Sequence, residues 1–358
     1  MFKSLIEQLA ESTPLSNDQV ATAVILLVDE REDAEAKADF LAALARKGET
    51  TDEITAFARE LRARSILPPL DVETRSREIL DVCGTGGDRL NTFNISTTVA
   101  IIAAAAGVAV AKHGNRAITS QAGSADVLEA LGIPIDLTPE QAAQSLREHH
   151  FAFFFAPKYH PAFKHIGPAR KLCAERGQRT IFNFLGPLLN PARPTAQLIG
   201  VPRPELCEPI ARILQSLGVR RGMVVCGAVS SGDQDPHLGV SHATFSLDEL
   251  STLGDNTIAE FYQDRGFAVS ALSPDSFPLQ PATLADLAGS DRTVNAEIVR
   301  RLLRGDERGP KRDAILLNCA AALFVADQCK SLSDGWELAM ELIETGRANA
   351  KLKELVRS

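Results

Sequence analysis

Over the first 65 residues or so, apolar positions recur at helical spacing. Leu5 and Leu9, then Val20, Val24 and Leu27, then Phe40, Leu41 and Leu44 mark one face each, with few breakers between them. Gly48 supplies a stop, and Thr50 with Glu53 three residues on makes a capping box for the next helix. Pro68 and Pro69 end the pattern, so a boundary is expected near residue 70. The period then changes. Residues 78–83 read as a short strand that runs into Gly84-Thr85-Gly86-Gly87-Asp88, and a helix rich in alanine and valine follows from about Ser96. The most apolar stretch, 99–111, reads as a buried helix, with 108–111 as a second buried strand. It is too short to span a bilayer. Residues 124–132 have a cap, a helical run and a terminating glycine, and Thr138-Pro139-Glu140-Gln141 is another helix start. Residues 151–155 and 222–227 read as buried strands, 229–246 as a polar surface loop, and the chain from Asn295 as helix, including 313–326 and 336–342. Strands alternating with helices predict a mainly parallel α/β sheet covered on both faces.

Composition narrows the function. A chain of 358 residues can bury a large core and predicts two domains. A formal charge of −8 argues against general nucleic-acid binding, which needs a basic face to displace counterions. It leaves room for a local basic cleft. The six cysteines (Cys83, Cys173, Cys207, Cys226, Cys319, Cys329) form no CxxC pair, so neither a disulfide framework nor a zinc site is expected, and a reduced cytoplasmic chain fits. Glu7 falls too early for a signal peptide, and no membrane association is expected.

Three clusters can carry chemistry. The Gly84–Asp88 loop lies between a strand and Asn94-Ile95-Ser96-Thr97 at a helix start, an arrangement that cradles phosphate. Glycines admit the anion, amides point inward, and the helix end is partially positive. Its spacing fits neither the P-loop nor the dinucleotide fingerprint. Alone, it reads also as a tight turn before a capped helix. Lys112-His113-Gly114-Asn115-Arg116 ends a strand, where open α/β sheets bind ligands; a solvated loop with a core-facing histidine is the alternative. Asp248-Glu249 reads as a solvated helix face or, beside bound phosphate, as magnesium ligands.

These motifs, with Thr92-Phe93, Gly123–Gly132, Arg179–Pro191 and Gly309–Ala314, resemble the anthranilate phosphoribosyltransferases in order and spacing over nearly the whole chain. The resemblance implies transfer of a phosphoribosyl group from phosphoribosyl pyrophosphate to the amine of anthranilate. It implies that Gly84, Gly87, Asp88, Thr92, Asn94, Ile95, Ser96 and Thr97 hold the donor. The loop Lys112, His113, Gly114, Asn115, Arg116, Ala117, Ile118, Thr119 and Ser120 would close over it, with Ser124 adding a contact. Ser96, Asp248 and Glu249 would bind Mg²⁺, two ions in all, with Asp233 and Asp235 as the fallback acidic pair. Gly84, Asn115 and Arg170 would face anthranilate, Arg170 meeting its carboxylate. No covalent catalytic residue is required, because the amine is itself the nucleophile. Residues 171–178 and 229–246 are longer than the family usually has, and Gln121-Ala122 replaces a serine-rich turn.

The implied architecture is a small helical domain (1–70, with a contribution from about 157–182) and a larger α/β domain (71–156 and 183–358) of the nucleoside phosphorylase/phosphoribosyltransferase type. The site would lie between them, and a homodimer would form through the helical domain. Three rivals remain: a nucleoside phosphorylase of the same architecture, a non-catalytic relative of another class that binds nucleic acid, and a transferase for another aromatic amine. The 112–116 and 183–191 motifs favour the transferase over the first, and the acidic composition speaks against the second.

Overall fold

The computed structural model describes residues 2–117, 121–229, 245–262 and 266–357. Helices α1 (Phe2–Ala10), α2 (Asn17–Val28), α3 (Ala34–Lys47) and α4 (Thr51–Ala63) form the amino-terminal bundle. After a short helix α5 (Val72–Ser76), the chain alternates: β1 (Ile79–Gly84), α6 (Ile95–Ala105), β2 (Ala109–Gly114), α7 (Ser124–Leu131), α8 (Pro139–His149) and β3 (Phe151–Phe155). Three helices follow, α9 (Ala156–Tyr159), α10 (Gly167–Glu175) and α11 (Phe182–Leu185), then β4 (Ala196–Gly200), α12 (Cys207–Ser216) and β5 (Arg221–Val229). Strands β6 (Phe245–Leu247), β7 (Asn256–Tyr262) and β8 (Gly266–Leu272) precede α13 (Arg292–Arg304), α14 (Pro310–Val325), α15 (Leu332–Glu344) and α16 (Arg347–Leu355).

One sheet has the order β3-β2-β1-β4-β5-β7-β8, with β6 also on β5. The first five strands in that order are parallel, while β6, β7 and β8 run antiparallel to their neighbours. The carboxyl ends of β1, β2 and β4 therefore share one edge, and each is a glycine: Gly84, Gly114 and Gly200.

Alternation along the strands divides the core. Leu80, Val82, Leu198, Met223 and Val225 face a cluster built with α6 and α13–α16. Cys83, Ile199 and Val224 face the opposite way, into a cluster continuous with the bundle and with α10 and α12. α10 is tied to α3 by Arg176, which pairs with Glu35 and, at 3.0 Å, with Asp39. The bundle carries its own buried ion pair. Lys47 meets Glu53 at 2.6 Å, and Glu53 also accepts the Leu15 N–H, linking the capping box of α4 to the α1–α2 turn. The apolar stretch 99–111 divides at Gly107, whose φ of 91° ends α6 and admits the turn into β2. Among the described residues no helix is long and apolar enough to cross a membrane.

Candidate active site

The floor of the site is a place where side chains have been removed. Residues 248–251 cross the carboxyl edge of the sheet, pressed against its glycines. A Cβ on Gly200 would lie 1.5 Å from the Asp248 carbonyl oxygen, and one on Gly84 would lie 2.2 Å from an Asp248 carboxylate oxygen. On Gly227 it would meet Ser251 at 2.4 Å. Neighbouring strands β1, β4 and β5 thus each offer a glycine to the same segment. Asp248 and Glu249 are consequently not on a helix face: Glu249 is buried and Asp248 half-buried in non-helical backbone.

This placement is electrostatically costly without a cation. Burial and the neighbouring Asp88 and Glu249 charges push the Asp248 carboxyl well above its usual range, against one stabilising bond from the Gly86 N–H at 2.6 Å. Burial likewise raises Glu249 to about 7, although Lys112 and the N–H and hydroxyl of Ser96 favour its charged form. Lys112 is fully buried, donates to the Val82 carbonyl at 2.7 Å and to Ser96 Oγ at 3.3 Å, and has its pKa lowered by desolvation. The available donors are two carboxylates and a hydroxyl, all hard oxygens that suit Mg²⁺. No three His, Cys, Asp or Glu side chains among the described residues form a metal cage. A partial shell of this kind is completed by waters and substrate phosphate.

Above the floor, Gly86 (φ 76°) and Gly87 (φ 96°) adopt left-handed backbone, followed by Arg89 and Asn91 with φ of 61° and 50°. Thr92 bridges to Ala288, and the Phe93 N–H donates to Leu287. Asn94 is the N-cap of α6 without a side-chain cap; its amide instead donates to the Ala122 carbonyl at 3.2 Å and accepts from Asn295 at 2.9 Å. Ile95 is buried, and Thr97 has a buried hydroxyl with no partner among the described residues. Through Asn94, Ala122 is fastened to the end of α6 that carries Ser96. Ser124 opens α7 and packs beside Gly114, while Asp126 accepts the N–H groups of Ala117 and Gly123. Arg116 turns away to Asp126 and Glu129, each at 3.0 Å, and Asn115 is exposed with its Oδ1 on the Arg116 N–H. Ile118, Thr119 and Ser120 lie outside the described residues, as do Asp233 and Asp235.

His113 is separated from Lys112 by the strand's alternation and lies on the bundle side. Its ring is 5.3 Å from His160, His160 is 5.2 Å from Phe163, Phe163 is 5.6 Å from Phe182, and the Arg170 guanidinium stands 5.3 Å from Phe182. A row of rings thus joins the carboxyl end of β2 to Arg170. Burial lowers the pKa of Arg170, and among the described residues no acidic group acts on it. Arg62 on α4 is lowered to about 10, and one of its buried nitrogens has no partner among the described residues. Both histidines are held neutral, His113 at about 3 and His160 at about 4, mainly by desolvation. Each bonds a backbone carbonyl, Gly186 or Leu189, and leaves a buried Nε2 without a partner among the described residues.

Residues 3–65 match the glycosyl transferase family, helical bundle domain, and residues 76–349 match the glycosyl transferase family, a/b domain. An anthranilate phosphoribosyltransferase of Petrotoga mobilis is 41% identical over 99% of this chain and 96% of its own length. The chain belongs to the anthranilate phosphoribosyltransferase family. The family member from Thermus thermophilus superimposes with a TM-score of 0.84 at 38% identity, covering 98% of each chain. The Saccharomyces cerevisiae member, solved in complex with PRPP and Mg, gives 0.83 at 26% identity over 99% of this chain and 97% of the other. The same yeast enzyme, solved with 4-fluoroanthranilate, gives 0.78 at 26% over 95% and 91%. The fold expected from the family resemblance, a helical amino-terminal domain with a larger, mainly parallel α/β domain, is the fold found.

Several residues of this family site are not foreseen from the sequence. Asp81 is wholly buried, accepts from Asn190 at 2.9 Å and from the His113 N–H at 3.3 Å, and is raised to about 6 by desolvation. Its signal was available: an acid inside an otherwise apolar strand. Arg62 and His160 carry no local signal, because only tertiary packing brings α4 and the turn after α9 beside His113.

Proposed function

We propose that the chain transfers the phosphoribosyl group of phosphoribosyl pyrophosphate to the amine of anthranilate, giving N-(5-phosphoribosyl)anthranilate and pyrophosphate. The observation that carries the reading is a pair of opposite charge deficits on two sides of one cleft. The acidic floor carries more carboxylate than Lys112 offsets, and among the described residues no acid acts on the guanidinium that ends the aromatic row. A metal-bound diphosphate answers the first and an aromatic carboxylate the second.

On this reading Gly84, Gly87, Asp88 and Thr92 contact the donor, while Asn94, Ile95, Ser96 and Thr97 offer it the uncapped end of α6. The 112–117 loop and Ser124 border it, Lys112 acting from below through Ser96 rather than as an exposed phosphate ligand. Asp248, Glu249 and Ser96 hold Mg²⁺, two ions being the family expectation. Mg²⁺, when bound, neutralises the charge that develops on the departing diphosphate. Gly84, Asn115 and Arg170 face anthranilate, and Arg170 anchors its carboxylate by a charge-assisted bond. The residues mainly position two substrates in a dry cleft, and positioning is worth many orders of magnitude in rate. Their neutral imidazoles suit His113 and His160 to lining the acceptor side without repelling Arg170.

The unpaired cysteines agree with a reducing cytoplasm. The helical unit, 1–70 with 157–182, is the proposed surface of homodimerisation. The test is direct. Purified protein with phosphoribosyl pyrophosphate, Mg²⁺ and anthranilate should consume anthranilate and release pyrophosphate one for one. A folded, donor-binding protein that forms no phosphoribosyl-anthranilate would contradict the acceptor assignment.

A further inference from the structure

Two buried asparagines hold the backbone immediately behind the acidic pair. From α14, Asn318 accepts the Leu250 N–H at 2.9 Å and donates to the Leu250 carbonyl at 2.9 Å. Its other amide hydrogen goes to the Ala314 carbonyl at 2.9 Å. From β7, Asn256 accepts the Ser251 N–H at 2.6 Å and donates to the Ser251 carbonyl at 3.0 Å. Each side chain therefore closes a two-bond ring on one residue of the segment, as a neighbouring strand would. All four groups are shut off from solvent, with Asn318 and Ser251 at 0% exposure and Asn256 and Leu250 at 1%.

The need for such clamps follows from the floor. Residues 248–251 belong to no helix or strand, so no ladder holds them. The glycines at 84, 200 and 227 allow close approach from the sheet side but supply no attraction. Asn318 stands in the otherwise apolar run 314–325 of α14, where a buried amide is tolerated only when it is satisfied.

We infer that Asn318 and Asn256 are positioning residues for the carboxylates of Asp248 and Glu249, keeping Leu250 and Ser251 fixed so that the pair presents a ready-made metal site. The inference rests on the pair being the metal ligands. Partners one shell removed from a metal typically contribute about 10- to 100-fold in its affinity.

The probe is Mn²⁺, followed by electron paramagnetic resonance with phosphoribosyl pyrophosphate present and acceptor omitted, so that no turnover is involved. Asn318→Leu should weaken Mn²⁺ binding at least about tenfold at a temperature where the variant is folded. Asn256→Ser should do so in the same direction, and it keeps the test open if Asn318→Leu does not fold. Leu342→Ala, a core truncation in α15, should lower thermal stability and leave Mn²⁺ affinity unchanged. Affinity within about twofold of the parent in both asparagine variants would overturn the inference, as would an equal loss in Leu342→Ala. A parent protein that binds no Mn²⁺ beside the donor would instead overturn the metal assignment beneath it.

Discussion

The two sides of the proposed cleft are built by different means. The proposed donor side is assembled from strand ends and the turns that follow them, glycine next to acid next to helix start, and it is held by backbone. Its charges are carboxylates crowded beyond what their neighbours neutralise, so their pKa values rise. The acceptor side is assembled from side chains on α4, β2, α10 and α11 and the turn before α10. Its charges are guanidiniums whose desolvation outweighs what acids offer them, Asp81 for Arg62 and none among the described residues for Arg170, with two imidazoles kept neutral, so their pKa values fall. Burial drives both sets of shifts, raising the acids of one side and lowering the bases of the other. On the proposed function a cation with its phosphates belongs on the first and an anionic ring on the second.

Breaking the backbone-built wall should give the largest effect. Gly200→Ala drives a Cβ into the Asp248 carbonyl, displacing the acid pair without touching a substrate contact. We predict a loss of about 100-fold or more in kcat/KM, the scale of a 1 Å misplacement, with circular dichroism showing retained fold. Activity within a few-fold of the parent would mean that the glycine windows do not set the site.

A pH comparison separates the walls at a smaller energy. In the folded, metal-free protein His160 stays neutral down to about 4, whereas the unfolded chain protonates near the ordinary value of 6.5. The unfolded state thus binds more protons in that window, and His160 costs stability as pH falls. His160→Phe should gain on the parent by about 1.4 kcal/mol per pH unit between 6.5 and 4. Glu249 has the opposite sense. Its folded pKa is raised to about 7, so the folded state binds the extra proton above 4.5 and loses stability as pH rises. Glu249→Gln should gain on the parent as pH climbs from 4.5 to 7. Chemical denaturation across pH in a chelating buffer measures both slopes, and slopes of one sign would erase the contrast.

Arg116 gives the smallest expected effect. Its guanidinium is 44% exposed and spent on Asp126 and Glu129. Arg116→Ala should cost at most about 1 kcal/mol of stability and change the KM for the donor only slightly. A large rise in that KM would show that the arginine leaves its acids to meet phosphate.

The same contrast explains what was legible in the sequence. The glycine loop, the 112–116 cluster and the capping boxes at Thr50 and Thr138 are contiguous, and local physics suffices to interpret them. The acidic pair was legible only through resemblance, because adjacent carboxylates ordinarily lie on solvated helices. Its burial depends on glycines at 84, 200 and 227, and its clamp on Asn318, 68 residues from Leu250. The separation of Lys112 from His113 follows from strand alternation, yet which face meets the bundle is a tertiary fact. The ring row to Arg170 is wholly of that kind.

The most direct test of the divided cleft is the pair of KM values in Arg170→Ala. We predict a rise of roughly 10- to 100-fold in the KM for anthranilate, the worth of one charge-assisted bond, with the KM for phosphoribosyl pyrophosphate nearly unchanged. An equal loss for both substrates would contradict the division.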